Sequence, residues 1–457
     1  MTITYTKQIP RTIRTQVLVC GGGVAGVSAA IASARLGMDT ILVEKSSMLG
    51  GCATSGLVGP FMTCFDLKEE RQIIRGIFEE VVTELERRGG AIHPAKVGNG
   101  TDHASYSVRG HSHVTPFDPE VLRSVLFDMT REAGVQLLLY SQVLDTIVEE
   151  GCVKGVILAQ KEGLCAVQAN VVIDCTGDGD VIAASGAACE KGREEDGLMQ
   201  PMTLFLRIAG VDDQVVDDYV KQHPENYGRL FASIVEQTQK DGDCPIYRER
   251  IGIYKMLNPG EWRVNTTRIF RKDGTSSKDL TDAEIEGRIQ ADALIPYFRK
   301  YFPGFKNVRL IQAATTVGVR ETRRLRGSYV LQMEDLREDC HFEDCIALCS
   351  YPVDIHSPTG QGGGVLYNET SINPPNYYEV PYRILVPETM DGLLVAGRCV
   401  SATHEALGSI RVMPPCFATG QAAGTAAALC VQSGIQPRYV DIFRLRDVLI
   451  KNDAILS

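Results

Sequence analysis

Residues Val17 to Glu44 constrain this chain more than any other stretch. An apolar run, Val17-Leu18-Val19, leads into Gly21-Gly22-Gly23-Val24-Ala25-Gly26. A small-residue segment, Val27 to Leu36, precedes Gly37, and a second apolar run, Ile41-Leu42-Val43, ends at the acid Glu44. Strand, glycine turn, helix and second strand make the βαβ unit that holds a dinucleotide. Gly21 makes the tight turn, and Gly23 lets the backbone approach a pyrophosphate at the helix N-terminus. Gly26, with Ala30 four residues on, allows close helix–strand packing, and Glu44 accepts hydrogen bonds from a ribose diol. Gly22, Ala25 and Lys45 belong to the same binding set. Thr40 stands where a larger apolar residue is usual.

At 457 residues the chain is too long for one ordinary domain, so two joined domains are expected. Apolar residues at 44% and charged residues at 23% fit a globular protein. A net charge of −10 argues against nucleic acid or an anionic membrane as partner. Apolar runs break off before the ~18 residues that a membrane span needs. Met1 to Arg14 is polar with scattered bases and lacks the apolar segment of an export signal. The 14 cysteines include no C-x-x-C pair, so reduced thiols and a cytoplasmic location are expected.

A second small-residue loop, Gly50-Gly51-Cys52-Ala53-Thr54-Ser55-Gly56, follows the acid and brings backbone amides toward the same ligand. Leu67 to Arg88 has the spacing of a surface helix, and Gly89 to His113 reads as loop. Asp118-Pro119-Glu120 opens a helix to about Ala133, with Asp118 as N-cap. Period-two strands follow at Val135–Leu139, Val143–Val148, Val153–Ala159, Ala166–Gln168 and Val171–Asp174, a meander ending in Thr176-Gly177-Asp178-Gly179-Asp180. Residues 192–381 read as an inserted domain, with a helix capped by Thr281 and Glu284. From residue 382 to 457 the pattern of the first part, residues 1–191, returns. Leu393-Leu394-Val395-Ala396 is a buried strand, Gly397-Arg398 a turn, and Gly420-Gln421-Ala422-Ala423-Gly424 opens a small-residue helix taken to face the ligand.

Three glycine-rich stations in this order resemble flavoproteins of the glutathione-reductase-like, two-dinucleotide-binding type. Within that group the chain resembles the bacterial FAD-dependent oxidoreductases. The resemblance rests on Asp174 to Asp180, Val319 to Gly327, Tyr351 to Pro358 and Asp391 to Gly424. It implies an α/β fold with an α+β insertion: a Rossmann-like FAD-binding domain carrying a β-meander, and an inserted substrate domain with the substrate held between. Related disulfide reductases carry a redox cysteine pair after the second glycine loop, whereas Cys52 stands alone, twelve residues from Cys64. Gly360-Gln361-Gly362-Gly363-Gly364 lacks the strand and helix of a nicotinamide site. No histidine lies between Glu44 and His93, so FAD is expected to be non-covalent.

Oxidation at a C–H bond needs a proton acceptor and positive groups for an anion. His404 is the expected base or acid, with Arg411 anchoring substrate or flavin. Arg320 of the Arg320-to-Arg326 cluster, four arginines in seven residues, is expected in the interdomain cleft, the alternative being an exposed helix face. His356 in Asp354-Ile355-His356-Ser357-Pro358 is a third candidate. No metal site is expected: His111 and His113 lack supporting ligands, and Cys340, His341, Cys345 and Cys349 read as core. Cys52 beside the cofactor has a redox role or simple packing as its alternatives. The reading is hydride transfer between flavin N5 and a small polar organic substrate, anionic or neutral, in either direction. Its competitors are an isomerase or lyase that uses FAD without net redox, and an electron-relay subunit. No motif names the electron acceptor, and a homo-oligomer is compatible with the sequence.

Overall fold

The computed structural model describes residues 6–107, 111–224, 228–246, 251–338, 340–360 and 374–457. The run Val17-Leu18-Val19-Cys20 is apolar on both faces, which suits a strand covered on both sides. It forms the buried end of β1 (Arg11–Cys20). β2 (Thr40–Val43) lies parallel to it, Val17 opposite Thr40, and the helix Val24–Arg35 joins the two. Thr40 is tolerated at a buried apolar position because its hydroxyl meets Ser33 Oγ and the Met38 carbonyl, both at 3.1 Å. β3 (Gln136–Leu138) pairs parallel to β2. Sequence patterning grouped it with the meander, but its register puts it in the parallel sheet. The helix before it, Pro119–Glu132, is capped as expected: the Asp118 carboxylate accepts from the amides of Glu120 and Val121.

β4 (Gln142–Glu149), β5 (Cys152–Gln160) and β6 (Gly163–Asp174) make the antiparallel meander. The two short strands expected at 166–168 and 171–174 are one, since β1 pairs along this whole length, from Arg11 opposite Cys165 to Cys20 opposite Asp174. One other expectation changes. The surface helix spans Ile77–Arg87 only, and it buries Ile77, Phe78, Val81, Val82 and Leu85. The residues before it are held instead by turns, with the Asp66 carboxylate accepting from the amide of Glu70 at 2.8 Å.

β7 (Cys189–Lys191) leaves this unit. β8 (Leu206–Ala209), β9 (Gly252–Lys255), β10 (Trp262–Asn265) and β11 (Arg309–Ala313) form a second, antiparallel sheet in the order β11-β8-β10-β9. The helix Ser277–Tyr301 belongs to the same unit, and Trp262, Phe298 and Phe305 lie in its core. The box expected at Thr281 and Glu284 does not cap this helix. Ser276 does so one turn earlier, its Oγ accepting from Asp279 N, while Glu284 accepts from Val317 N at 2.7 Å. β12 (Arg323–Leu325) pairs with β7, so the arginine cluster is extended and not a helix face. β13 (Cys345–Cys349) pairs with β14 (Tyr378–Pro381). β15 (Leu393–Val395) lies parallel to the last residues of β6, Leu393 opposite Val172.

The main sheet thus has seven strands among the described residues, β3-β2-β1-β6-β5-β4 with β15 beside the end of β6. The helix Met413–Ser433 crosses the helix Val24–Arg35 at backbone contact. A Cβ added at Gly420 or Gly424 would lie 2.2 Å from Ala25 O or 2.0 Å from Ala29 O. Leu331, Leu348, Val353, Tyr378 and Val380 share the core of Ile31 and Phe417. Among the described residues no helix is long and apolar enough to cross a membrane.

Candidate active site

The first glycine turn is tight against the protein on one side and open on the other. At Gly21, φ is +106° and a Cβ would lie 2.4 Å from Cys175 O; at Gly26 it would lie 1.8 Å from Gly21 O. At Gly23 a Cβ would meet nothing within 4 Å, because this residue faces a cavity of about 810 Å³. The space held clear at the helix N-terminus suits a pyrophosphate. Glu44 also faces the cavity, and its carboxylate accepts from Gly22 N at 2.7 Å and Ser46 N at 2.8 Å. Those bonds orient it and leave lone pairs for a diol. The second loop clasps the first through Gly50 N, which donates to Gly22 O at 2.8 Å. Ala25, Lys45, Gly50, Gly51 and Cys52 line the cavity as well. Gly22, Gly26 and Gly56 lie behind the wall, shaping the loops.

Thr176, Gly177 and Asp178 enter the same cavity from the end of β6, and Gly397 and Arg398 from the end of β15. Asp174, fully buried, organises the first of these turns: its carboxylate accepts from Thr176 N, Thr176 Oγ1 and Ile182 N. Burial raises its pKa against those bonds. Arg398 ties the two turns together, donating to Asp178 Oδ1 at 2.6 Å and to Thr322 Oγ1 at 3.1 Å. Burial opposes its charge, but Asp178 prevails and raises its pKa. Cys52 opens onto the cavity although it lies deep in the protein, and burial raises its thiol pKa despite Arg398. That favours the unreactive thiol over the thiolate.

Beyond these turns the cavity continues to a basic end lined by Arg268, Arg320, Arg411, Asp354 and His356. Arg320, 8% exposed, donates to Pro201 O at 2.6 Å and Thr203 Oγ1 at 2.8 Å. Arg411 donates to Asp354 O at 3.0 Å and Gln200 Oε1 at 3.3 Å. Arg268 donates to His356 Nδ1 at 3.1 Å. A guanidinium only donates, so this nitrogen is the acceptor and the proton of the neutral ring sits on Nε2, 3.0 Å from Asp354 Oδ1. Burial, then the Arg268 charge, holds the His356 pKa well below the usual imidazole range. Burial pushes the Asp354 carboxyl up, but His356, Arg411 and Arg320 outweigh it and keep the group ionised.

The unfolded chain takes up the His356 proton near pH ~6.5 and the folded protein does so only lower. Stability from this group is therefore full above about pH 6.5 and is lost as the pH falls from there toward the folded pKa. Urea unfolding at a series of pH values checks this, with the slope expected to flatten in His356→Gln.

Other expected site residues lie elsewhere. His404 does not line the cavity. It is 6% exposed, and its Nδ1 lies 2.8 Å from a carboxylate oxygen of Glu321. Glu321, fully buried, also accepts from Arg324 and from Gln200 N. The turn after Thr403 points His404 inward, where this ion cluster satisfies it. Gly420, Gln421 and Ala422 are likewise outside the cavity wall. Gly420 meets the neighbouring helix, Gln421 Oε1 accepts from Ile77 N at 3.0 Å, and Ala422 is fully buried. The helix expected to open at Gly420 begins at Met413, so these small residues lie in its interior and serve helix packing. Sequence reading missed Arg268 and Asp354. Asp354 stands two residues from a singled-out histidine, a usable signal; Arg268, in Thr266-Thr267-Arg268-Ile269, had none. Gln361 to Gly364, part of the glycine run weighed for a nicotinamide site, fall outside the described residues. Cys345 and Cys349 are buried in β13, and His341 Nδ1 lies 2.6 Å from Glu379.

Residues 16–449 match the family model described as FAD dependent oxidoreductase. The chain is 23% identical over 319 residues to L-aspartate oxidase of Halobacterium salinarum, across 64% of this chain and 60% of that protein's length. It is 26% identical over 241 residues to thiamine thiazole synthase of Aeropyrum pernix, covering 50% of this chain and 76% of that one. It matches a solved flavin-dependent brominase, Bmp2 in a triple mutant, at a TM-score of 0.50 and 13% identity, over 95% of this chain and 84% of that one. The last shares the fold: a Rossmann-like FAD-binding domain of mixed α/β architecture. The cradle that a Cβ at Gly23 would fill, and Glu44 beside it, fit the ADP half of FAD. This chain belongs to the FAD-dependent oxidoreductase family, and FAD is its cofactor.

Proposed function

We propose that the protein oxidises, or in the reverse sense reduces, a small organic anion held at the Arg268–Arg320–Arg411 end of the cavity. The observation that supports this reading is the continuity of one cavity, from the glycine cradle to the guanidinium groups of Arg268, Arg320 and Arg411, the His356 imidazole and the Asp354 carboxylate. Bound FAD supplies hydride exchange at N5 of its isoalloxazine. Arg320 and Arg411 would bind the anionic group, both already set by backbone carbonyls and so losing little entropy on binding. Proton handling moves from His404, which faces Glu321, to His356. Its lone pair at Nδ1 is covered by Arg268. A substrate anion that draws Arg268 away uncovers that lone pair and weakens the charge that depresses the imidazole pKa. Binding would then prepare the base, and Asp354 would stabilise the imidazolium.

Anaerobic mixing with small carboxylic acids tests this. At least one class should bleach the flavin or, in the opposite direction, reoxidise prereduced protein. A flavin indifferent to every organic anion in both directions refutes the proposal. Arg320→Met is expected to lower kcat/KM roughly 10- to 150-fold, the equivalent of a lost charged hydrogen bond. An unchanged value in steady-state kinetics would remove Arg320 from the site.

We propose further that FAD is held non-covalently. His93, the first histidine after Glu44, is turned to Glu79 at 3.0 Å. Acid precipitation should leave all the yellow colour in the supernatant. We place the protein in the cytoplasm, since its 14 cysteines are all free. From core membership we divide the chain differently from the sequence reading. The inserted unit would end near Val319, with residues from 331 onward returning to the FAD-binding core.

A further inference from the structure

The basic end of the cavity is only part of its wall on the side of the second sheet. Phe205, Leu230, Ile251, Tyr254, Phe270 and Leu280 line the same cavity. They come from several places in the second unit: the loop entering β8, the segment before β9, β9 itself, the stretch after β10 and the first turns of the helix Ser277–Tyr301. Phe205, Leu230 and Ile251 belong to the apolar core of that unit, and Leu280 packs against it. Phe270 is backed by Gly360, where a Cβ would lie 3.1 Å from the ring. The polar groups interleaved with this wall are mostly committed. Glu284 accepts from Val317 N at 2.7 Å, and Arg229 lies 3.5 Å from Glu236.

Phe205, Leu230, Ile251 and Tyr254 are buried and present only an edge to the cavity. Phe270 and Leu280 are partly exposed to it, an apolar face that a small hydrophilic acid would leave unused. Water held against that face is released only when an apolar ligand body replaces it. Resting on the reading proposed above, we infer that the substrate is an amphipathic carboxylic acid. Its carboxylate meets Arg320 and Arg411, and its alkyl or aryl body lies along the wall of Phe205, Ile251, Phe270 and Leu280. The two parts of the site then divide the work of recognition. The guanidinium groups fix one end of the molecule, and the apolar wall selects for its length and bulk.

The test uses the FAD-loaded protein and the flavin absorbance change on titration with acetate, succinate, hexanoate and phenylacetate. Hexanoate and phenylacetate are expected to bind at least tenfold more tightly than acetate and succinate, because each methylene taken from water adds a several-fold factor. Arg320→Met should weaken hexanoate and acetate alike. Leu280→Asn should weaken hexanoate severalfold, leaving acetate affinity and flavin content unchanged; both controls report a folded protein. If acetate and succinate bind as tightly as hexanoate, and all depend on Arg320, the inference fails while the anion site stands. If Leu280→Asn lowers flavin retention instead, the wall serves the cofactor and the inference also fails. If no acid binds, or Arg320→Met changes nothing, both this inference and the proposed function fall.

Discussion

Alanine at Glu321 is expected to destabilise the fold by about 3–5 kcal/mol, the usual cost of removing one partner from a buried ion pair. Glu321 is fully buried and holds three groups at once: Arg324, His404 and the amide of Gln200. Arg324 is itself 4% exposed and cannot turn to water. Its remaining hydrogen bonds, to the carbonyls of Ala402 and Gly192, only orient the guanidinium, and the exposed carboxylate of Glu190, 3.9 Å away, neutralises it weakly. The cluster joins β12 to the helix that starts at His404, so its loss should loosen the junction between the second unit and the end of β15. Urea unfolding followed by far-ultraviolet circular dichroism measures the change. A loss below about 1 kcal/mol would mean that water reaches the cluster and the pair behaves like a surface one.

The second large effect belongs to catalysis. His356→Gln should slow the bleaching of flavin by substrate roughly 10²- to 10⁴-fold, the range for a positioned acid or base. FAD should stay bound, since no cradle residue is touched. His404→Gln is the informative partner. Facing Glu321 and away from the cavity, it should lower stability and leave the reductive half-reaction within a few-fold of the parent. Rapid mixing under anaerobic conditions compares the two. The opposite ranking, with His404 essential and His356 dispensable, would overturn the assignment of proton handling. A pH profile separates the roles further, because only a group that changes protonation in turnover moves its inflection.

The cofactor cradle was readable in the sequence because its physics is local. Gly21, Gly23 and Gly26 act within one turn of backbone, and the distance to Glu44 is set by one helix and one strand. The Asp118 cap and the antiparallel strands of the meander were readable for the same reason, but the pairing of Gln136–Leu138 with the parallel strands was not. The errors arose where one composition serves two purposes. Gly420 admits the carbonyl of a neighbouring helix where contact with the cofactor was expected, and nothing in Gly420-Gln421-Ala422-Ala423-Gly424 tells the two apart. Thr281 and Glu284 have the spacing of a cap, yet Ser276 lies one turn earlier and Glu284 is spent on Val317.

The opening stretch from Val17 to Glu44 therefore carried the class of ligand and the class of fold, since short-range backbone geometry decides both. Which side chains share the cavity with that ligand was a different matter. Arg268, Arg320, His356 and Arg411 stand on four separate segments, and a long-range fold brings them to one cavity. His404 and His356 are equally plausible bases in a linear reading. They part company only when Thr403 turns the first toward Glu321 and the chain after β13 turns the second toward Arg268. Burial and partners decide which of the two faces the cavity, and both are properties of the packed molecule.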